Sequence, residues 1–328
     1  MDRTIRIGIC GYGNLGRGVE LAVAQSNDMT VRGVFTRREA STINTVFEDT
    51  KVYSINELVA MKDEIDVLIL CGGSATDLVV QSPEYATSFN IVDSFDNHGM
   101  IPEHFALVNE AAKYSGKTAI ISAGWDPGLF SINRLIGESV LPKGETYTFW
   151  GKGVSQGHSD AIRRINGVVN AVQYTIPIEE AFEQVRSGQN PNLSPREKHL
   201  RQCFVVAAND ANLETIREEI VTMPNYFEPY DTEVNFISIE EFERDHRGMP
   251  HGGNVIRSGK TGVDTNQIYE FTLNLESNPE FTSSVLVAYA RACFKMALEG
   301  QTGAKTVLEI PPYMLSDRSL SQLRAELL

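Results

Sequence analysis

The chain has 328 residues, a net charge of −14 at neutral pH, and 42% apolar and 22% charged residues. That length accommodates two domains, or one with a large insert, and the sequence holds no run of about 18 uncharged apolar residues to span a membrane. The acidic balance argues against a nucleic-acid partner, so basic residues gathered in a cleft stand out as candidate ligand contacts.

The N-terminus, 1-MDRTIRIGIC-10, passes almost directly into a strand-like pattern and leaves no room for a signal peptide, so a cytoplasmic location is expected. Residues 4-TIRIGIC-10 form a β-branched apolar run, followed by 11-GYGNLG-16 and by 17-RGVELAVAQS-26 with helical spacing. That is strand, glycine turn and helix. A second strand is predicted over 29-MTVRGVF-35, a third over 66-DVLILCGG-73, and others over 90-NIVDSF-95 and 118-TAIISAG-124, with a helix over 103-EHFALVNEAAKYSG-116. The alternation implies an α/β fold, a doubly wound parallel sheet of the Rossmann type.

In that context the G-x-G-x-x-G turn gains meaning. Gly11 permits the tight turn, Gly13 lets the backbone approach a pyrophosphate, and Gly16 lets the helix pack on the sheet. Tyr12, Asn14 and Leu15 belong to the same predicted cradle, and the helix N-terminus offers unpaired N–H groups to phosphate. The end of the second strand normally carries an acid that binds both ribose hydroxyls. Here it carries Thr36, Arg37 and Arg38, and a hydroxyl with two guanidiniums suits a 2′-phosphate, which favours NADP over NAD. One of the two arginines pointing into solvent is the plain alternative. After the third strand, Gly72, Gly73, Ser74, Ala75 and Thr76 fit contact with the cofactor, and an ordinary strand-to-helix loop with a Ser or Thr cap explains them as well.

Beyond 122-SAGWDPGLFS-131 the pattern changes. Segments 145–155, 169–178, 202–208, 232–239 and 267–277 alternate as strands and suggest an α+β domain on an open mixed sheet. The apolar helix over 281–300 reads as core or interface, and a short amphipathic helix is expected over 318–328. The expected division is a dinucleotide-binding domain over 1–123, with 301–328 packing back on it, and a substrate-binding and dimerisation domain over 124–300. Asp96, Asp126, Trp150, the run 155-SQGHSD-160 and His251 sit beside Gly, Pro or aromatic residues in turn-like positions. Asp96 and Asp126 both follow predicted parallel strands, so both should emerge at the carboxyl edge of the sheet. Two carboxylates there suit a substrate ammonium, although each alone reads equally well as a turn-forming Asp. The cysteines, Cys10, Cys71, Cys203 and Cys293, form no C-x-x-C pair, and the six histidines show no metal-ligand spacing. Buried thiols in a reducing compartment and no bound metal are expected.

The segments 11-GYGNLGR-17, 72-GGSATD-77, 95-FDNH-98, 124-GWDPGLFSINR-134, 148-TFWGKGVSQGHSDAIRR-164, 172-VQYT-175, 201-RQCFVV-206, 223-MPNYF-227 and 248-GMPHGG-253 together resemble the meso-diaminopimelate dehydrogenase family, in order and over nearly the whole chain. Lys152 departs from the Pro expected there. The resemblance implies a homodimeric, NADP-dependent enzyme that deaminates meso-2,6-diaminopimelate at its D-centre. It implies that Asp96 and Asp126 hold the reacting amino group, that Trp125 and Trp150 wall the site, and that backbone around Gln156, Gly157 and His158 holds the near carboxylate, with Asp160 as support. Thr175, Arg201, His251 and Asn278 would hold the distal amino-acid end. Without the resemblance, Arg201 reads as readily as a surface salt-bridge residue. Rival expectations are another reductase with an inserted sheet domain, such as dihydrodipicolinate reductase or aspartate dehydrogenase, and a non-catalytic NADP-sensing protein.

Overall fold

The computed structural model describes residues 4–224 and 226–328. Residues 1–3 and Asn225, the latter within the quoted 223–227 segment, lie outside the described residues. The chain divides into two units, one of Met1–Ile132 with Pro279–Leu328 and the other of Asn133–Asn278.

The first unit begins β1 (Ile5–Cys10), α1 (Asn14–Ala24), β2 (Met29–Thr36), β3 (Val52–Ser54), β4 (Val67–Leu70), α2 (Leu78–Tyr85), β5 (Ile91–Asp93), α3 (Ile101–Ser115) and β6 (Thr118–Ile120). Helix α4 (Leu129–Val140) leads out of it, and the chain returns through α10 (Asn278–Leu298), β14 (Gly303–Lys305) and α11 (Leu320–Leu327). The strands form one parallel sheet in the order β14-β6-β5-β4-β1-β2-β3. Alternate side chains supply its two faces. Ile5, Ile7 and Ile9 of β1 pack with Val19 of α1 and with Leu286, Tyr289 and Cys293 of α10. Leu68, Leu70 and Ile91 pack on the other side with Leu78 of α2 and with Val108 and Ala112 of α3. The order reverses between β1 and β4, so the loops after those strands open together at the carboxyl edge, where open α/β sheets collect ligands.

In the second unit the elements run β7 (Gly144–Trp150), β8 (Gly153–Val154), α5 (Gln156–Arg163), β9 (Val168–Pro177), α6 (Glu179–Arg186), α7 (Pro195–Lys198) and β10 (His199–Ala207). They continue as α8 (Leu213–Val221), β11 (Asp231–Phe236), α9 (Ile239–Asp245), β12 (His251–Lys260) and β13 (Asn266–Leu275). Strands β11-β10-β9-β8 form a mixed sheet in which only β10 and β11 run parallel, and β13-β12-β7 form an antiparallel one.

Several local expectations require correction. The 155-SQGHSD-160 run is the start of helix α5, and Trp150 ends strand β7. His251 opens strand β12 instead of sitting in a turn. The glycines that suggested a turn there, Gly252 and Gly253, serve close strand approach: a Cβ at either would lie 2.1 Å from the Leu273 carbonyl oxygen or 2.2 Å from that of Phe149. The contact division also differs from the expected boundaries, because α10 buries eleven residues and supplies the first unit's core instead of the second's. Among the described residues no helix is long and apolar enough to cross a membrane. Nor do the described residues hold a group of three or more His, Cys, Asp or Glu able to bind a metal.

Candidate active site

A cavity of about 390 Å³ opens at the β1/β4 switch point. Gly11, Tyr12, Gly13, Thr36, Arg37, Arg38, Gly72 and Gly73 line it, as the sequence predicts, together with Cys10, Phe35, Ile55, Cys71, Asp77 and Gln81, which it did not flag. Gly11 has φ of +91°, a backbone state costly for a side chain, and its N–H donates to the Phe35 carbonyl at 2.8 Å. A Cβ on Gly13 would meet nothing within 4 Å, so the turn leaves open space where a pyrophosphate would lie. Helix α1 starts from Gly13 with no side-chain cap, and a helix N-terminus is a place that favours phosphate. At Gly16 the missing Cβ makes way for the Gly11 carbonyl oxygen, 2.3 Å from where that atom would be, so α1 lies close against the turn that follows β1. Asn14 opens the helix, and Leu15 packs against the core.

The basic rim is held from two sides. Arg37 pairs with Asp77 at 2.8 Å while its side chain stays 68% exposed. Arg38 donates through its guanidinium to the Tyr12 carbonyl and through its backbone N–H to Thr36 Oγ1 at 3.1 Å. Neither arginine is a free surface residue. Tyr12 is fixed in turn, because its hydroxyl donates to the buried Glu20 carboxylate and accepts from the Val46 N–H at 2.9 Å. Burial, then the bond to Glu20, pushes the Tyr12 phenol up to about 12. Burial alone would raise Glu20, but hydrogen bonds from Thr50, Tyr12, Val46 and Phe47 outweigh it and hold the carboxyl below its ordinary range. These cavity residues fit a dinucleotide with a phosphorylated ribose. The Gly72–Thr76 loop divides: Gly72 and Gly73 line the cavity, whereas Ser74 accepts the Asp96 N–H at 3.1 Å. Neither Ser74 nor Thr76 caps α2, whose N-cap is Asp77. Ala75 and Thr76 complete the intervening turn.

Asp96 lies exposed three residues beyond β5, and Asp126 lies in a tight turn beyond β6, so both stand past the carboxyl ends of parallel strands. That turn is closed by a bridge between Trp125 and Gly128, and Trp125 packs edge-on against Phe130 at 5.2 Å.

In the second unit, pairing places Gly153, Thr175 and Arg201 side by side across β8, β9 and β10. Arg201 is 7% exposed, donates to Thr175 Oγ1, and has no carboxylate partner among the described residues. Its Nε is a buried donor without an acceptor. Tyr230, which the sequence did not flag, stacks on the guanidinium with the ring centroid 3.9 Å from Cζ. Burial pushes the His158 imidazole down to about 4 and that of His199 to about 3, and the Arg201 charge acts in the same direction on both. Two neutral imidazoles therefore leave the buried Arg201 guanidinium beside them as a cation, an arrangement able to accept an anion.

His199 is another residue that the sequence did not flag. Its Nε2 accepts the Trp150 N–H at 2.9 Å and its ring lies 5.4 Å from the indole, which fixes the backbone at Trp150. His158 Nδ1 shares a 2.7 Å hydrogen bond with Ser155, so α5 begins with no side-chain cap, and a Cβ on Gly157 would meet nothing within 4 Å. Gln156 donates to the Met249 sulfur at 2.9 Å, and Asp160 pairs with Arg163 on the surface of the same helix. His251 stands over Gly153, where a Cβ would come within 2.6 Å of its ring, and the Asn278 N–H donates to Met249 at 2.9 Å.

Residues 124–277 match the family described as the diaminopimelic acid dehydrogenase C-terminal domain. The meso-diaminopimelate D-dehydrogenase of Ureibacillus thermosphaericus is 63% identical over 99% of both chains. A multiply substituted meso-diaminopimelate dehydrogenase of Clostridium tetani E88, solved with diaminopimelate, superposes with a TM-score of 0.95 at 55% identity, covering 99% of this chain and 100% of that one. An engineered D-amino acid dehydrogenase bound to NADP+ superposes with a TM-score of 0.88 at 47% identity, covering 99% and 100%. The chain belongs to the meso-diaminopimelate D-dehydrogenase family.

Proposed function

We propose that the chain catalyses the reversible, NADP-dependent oxidative deamination of meso-2,6-diaminopimelate at its D-centre, yielding L-2-amino-6-oxopimelate and ammonia for lysine and peptidoglycan-precursor biosynthesis. The observation that carries this reading is Arg201: a buried guanidinium with an unfilled Nε, a hydroxyl beside it and no acid paired to it among the described residues. A guanidinium can take a carboxylate bidentately and fix both its distance and its orientation. The Clostridium tetani protein supports the assignment. Its six replaced residues, a Gln, Thr, Arg, Pro, His and Asn, recur here in the same order and spacing as Gln156, Thr175, Arg201, Pro250, His251 and Asn278.

In this reading Thr175, Arg201, His251 and Asn278 hold the distal amino-acid end, and the first N–H groups of α5, around Gln156, Gly157 and His158, hold the near carboxylate. Asp160 steadies that helix through Arg163. Trp125 and Trp150 wall the reacting centre. Asp96 and Asp126 take its amino group, which must be neutral before hydride can leave. Asp126 is the first choice to accept the amine proton or order the attacking water, with Asp96 second. The Gly11–Gly13 turn and the Arg37–Arg38 rim would hold NADP+, which would supply the acceptor for the hydride lost by the D-configured carbon. The resulting imine adds water and releases ammonia. Gripping both ends keeps the L-centre away from the chemistry, and such positioning contributes several kcal/mol to catalysis.

A cytoplasmic location and a homodimer complete the proposal. All four cysteines are unpaired, as suits a reducing compartment, and the second unit exposes Leu135, Ile136 and Val140 along one helix, as suits a partner subunit. Replacing Arg201 with Met should raise KM for meso-diaminopimelate at least ~30-fold, the worth of a charge-assisted bidentate contact, with a much smaller effect on a D-amino acid that has one carboxylate. Equal effects on both substrates would sink the reading.

A further inference from the structure

The polar face around Arg201 holds more than the proposed reaction has used. Among the described residues, Gln173 Oε1, Arg201 Nε and Thr232 Oγ1 are buried polar atoms without a hydrogen-bond partner. All three occupy one face of the four-stranded sheet. Thr175 stands opposite Arg201 across β9 and β10, Arg201 stands opposite Thr232 across β10 and β11, and Gln173 is two residues from Thr175 along β9. Buried groups left unsatisfied are costly, so three on one sheet face mark a place built to meet a polar ligand.

Gln173 is 0% exposed, and its Nε2 donates to Thr175 Oγ1 at 3.4 Å. Arg201 Nη1 donates to the same oxygen. A threonine hydroxyl has two lone pairs and one proton. With an N–H facing each lone pair, Thr175 has its proton left to offer, and that proton suits a carboxylate. A leucine at this position would fill similar space without stranding an amide oxygen, so the amide is accounted for by what it does to Thr175.

We propose that Gln173 is a positioning residue for substrate recognition, fixing the Thr175 hydroxyl as a donor to the same distal carboxylate that Arg201 binds. Tyr230 supports the other half of the pair, its ring setting the plane of the guanidinium. This inference rests on the distal-carboxylate reading given above.

The test is a double-mutant cycle on the full chain at saturating NADP+. Gln173→Leu and Thr175→Val should each raise KM for meso-diaminopimelate about tenfold and leave kcat within about twofold. The double variant should be no worse than Thr175→Val, because Gln173 acts through that hydroxyl. Gln173→Met, more adaptable in shape, serves as the second variant should Leu pack poorly. NADP+ affinity, measured by fluorescence titration, should match the parent in every case. Additive KM effects, a loss confined to kcat, or an unchanged KM in the Gln173 variants would overturn the proposal. Arg201→Met, run alongside, separates the two readings. An unchanged KM there overturns the distal-carboxylate reading itself. A raised KM there, with additive or absent Gln173 effects, overturns the role of Gln173 alone.

Discussion

Arg37 and Arg38 stand where an acid would bind an unphosphorylated ribose, and each is held by a different partner, Asp77 or the Tyr12 carbonyl. Replacing both with Ser should weaken NADP+ binding by about 100-fold, two charge-assisted contacts, while changing NAD+ binding only a few-fold. Equal losses for both cofactors would contradict the 2′-phosphate reading. His199 carries a second prediction. Its Nε2 accepts the Trp150 N–H, so the fold needs the neutral ring, and burial lowers its pKa from 6.5 to about 3. In the unfolded chain the ring takes a proton below 6.5, so its contribution to stability is present above that pH and lost as pH falls toward 3. The slope is at most ~1.4 kcal/mol per pH unit for one group. The stability advantage of the parent over His199→Gln should therefore shrink between pH 7 and pH 5 in urea titrations; a constant difference would contradict it. Much at this scale was legible beforehand. Thr36, Arg37 and Arg38 were readable because a motif fixes their offset from the glycine turn. Tyr230, His199 and Gln173 were not, since only strand pairing reveals what they touch.

Helices and strands repeat that contrast. The first five strands written into apolar runs appear where expected, but β3, three residues long, carries no usable period, and β12 as a whole was not among the expected strands, its start disguised by the Gly252–Gly253 pair. Helix α10 was readable as a buried apolar helix, yet its sequence does not say which unit's core it fills. It belongs to the first, anchored by Arg291, which forks onto Asp28 at 2.6 and 2.7 Å and donates to the Leu315 carbonyl at 2.8 Å. Arg291 is 7% exposed, so Arg291→Met leaves Asp28 without its cation and should destabilise the first unit by about 3 kcal/mol. The check is the denaturant midpoint followed by loss of NADP+ binding. A shift worth under about 0.5 kcal/mol, the level of a surface pair, would contradict it.

For the molecule as a whole, a chain of net charge −14 still gathers cations at two places that the proposed function uses: the cavity rimmed by Arg37 and Arg38, and the buried polar face around Arg201. A second unit was suggested by the change of pattern beyond 122–131, though not its bounds, Asn133–Asn278, and the substrate by the ordered set of matched segments. The site in the second unit owed most to resemblance, because a buried cation without an acid looks in sequence like any other arginine. The decisive measurement is NADP+ reduction with meso-, LL- and DD-diaminopimelate in parallel, with ammonia release followed in the same reactions. Turnover of the meso isomer is expected, with one ammonia per NADPH, and none of the LL isomer. Comparable rates on LL- and meso-diaminopimelate, or no turnover of meso, would contradict the proposed function.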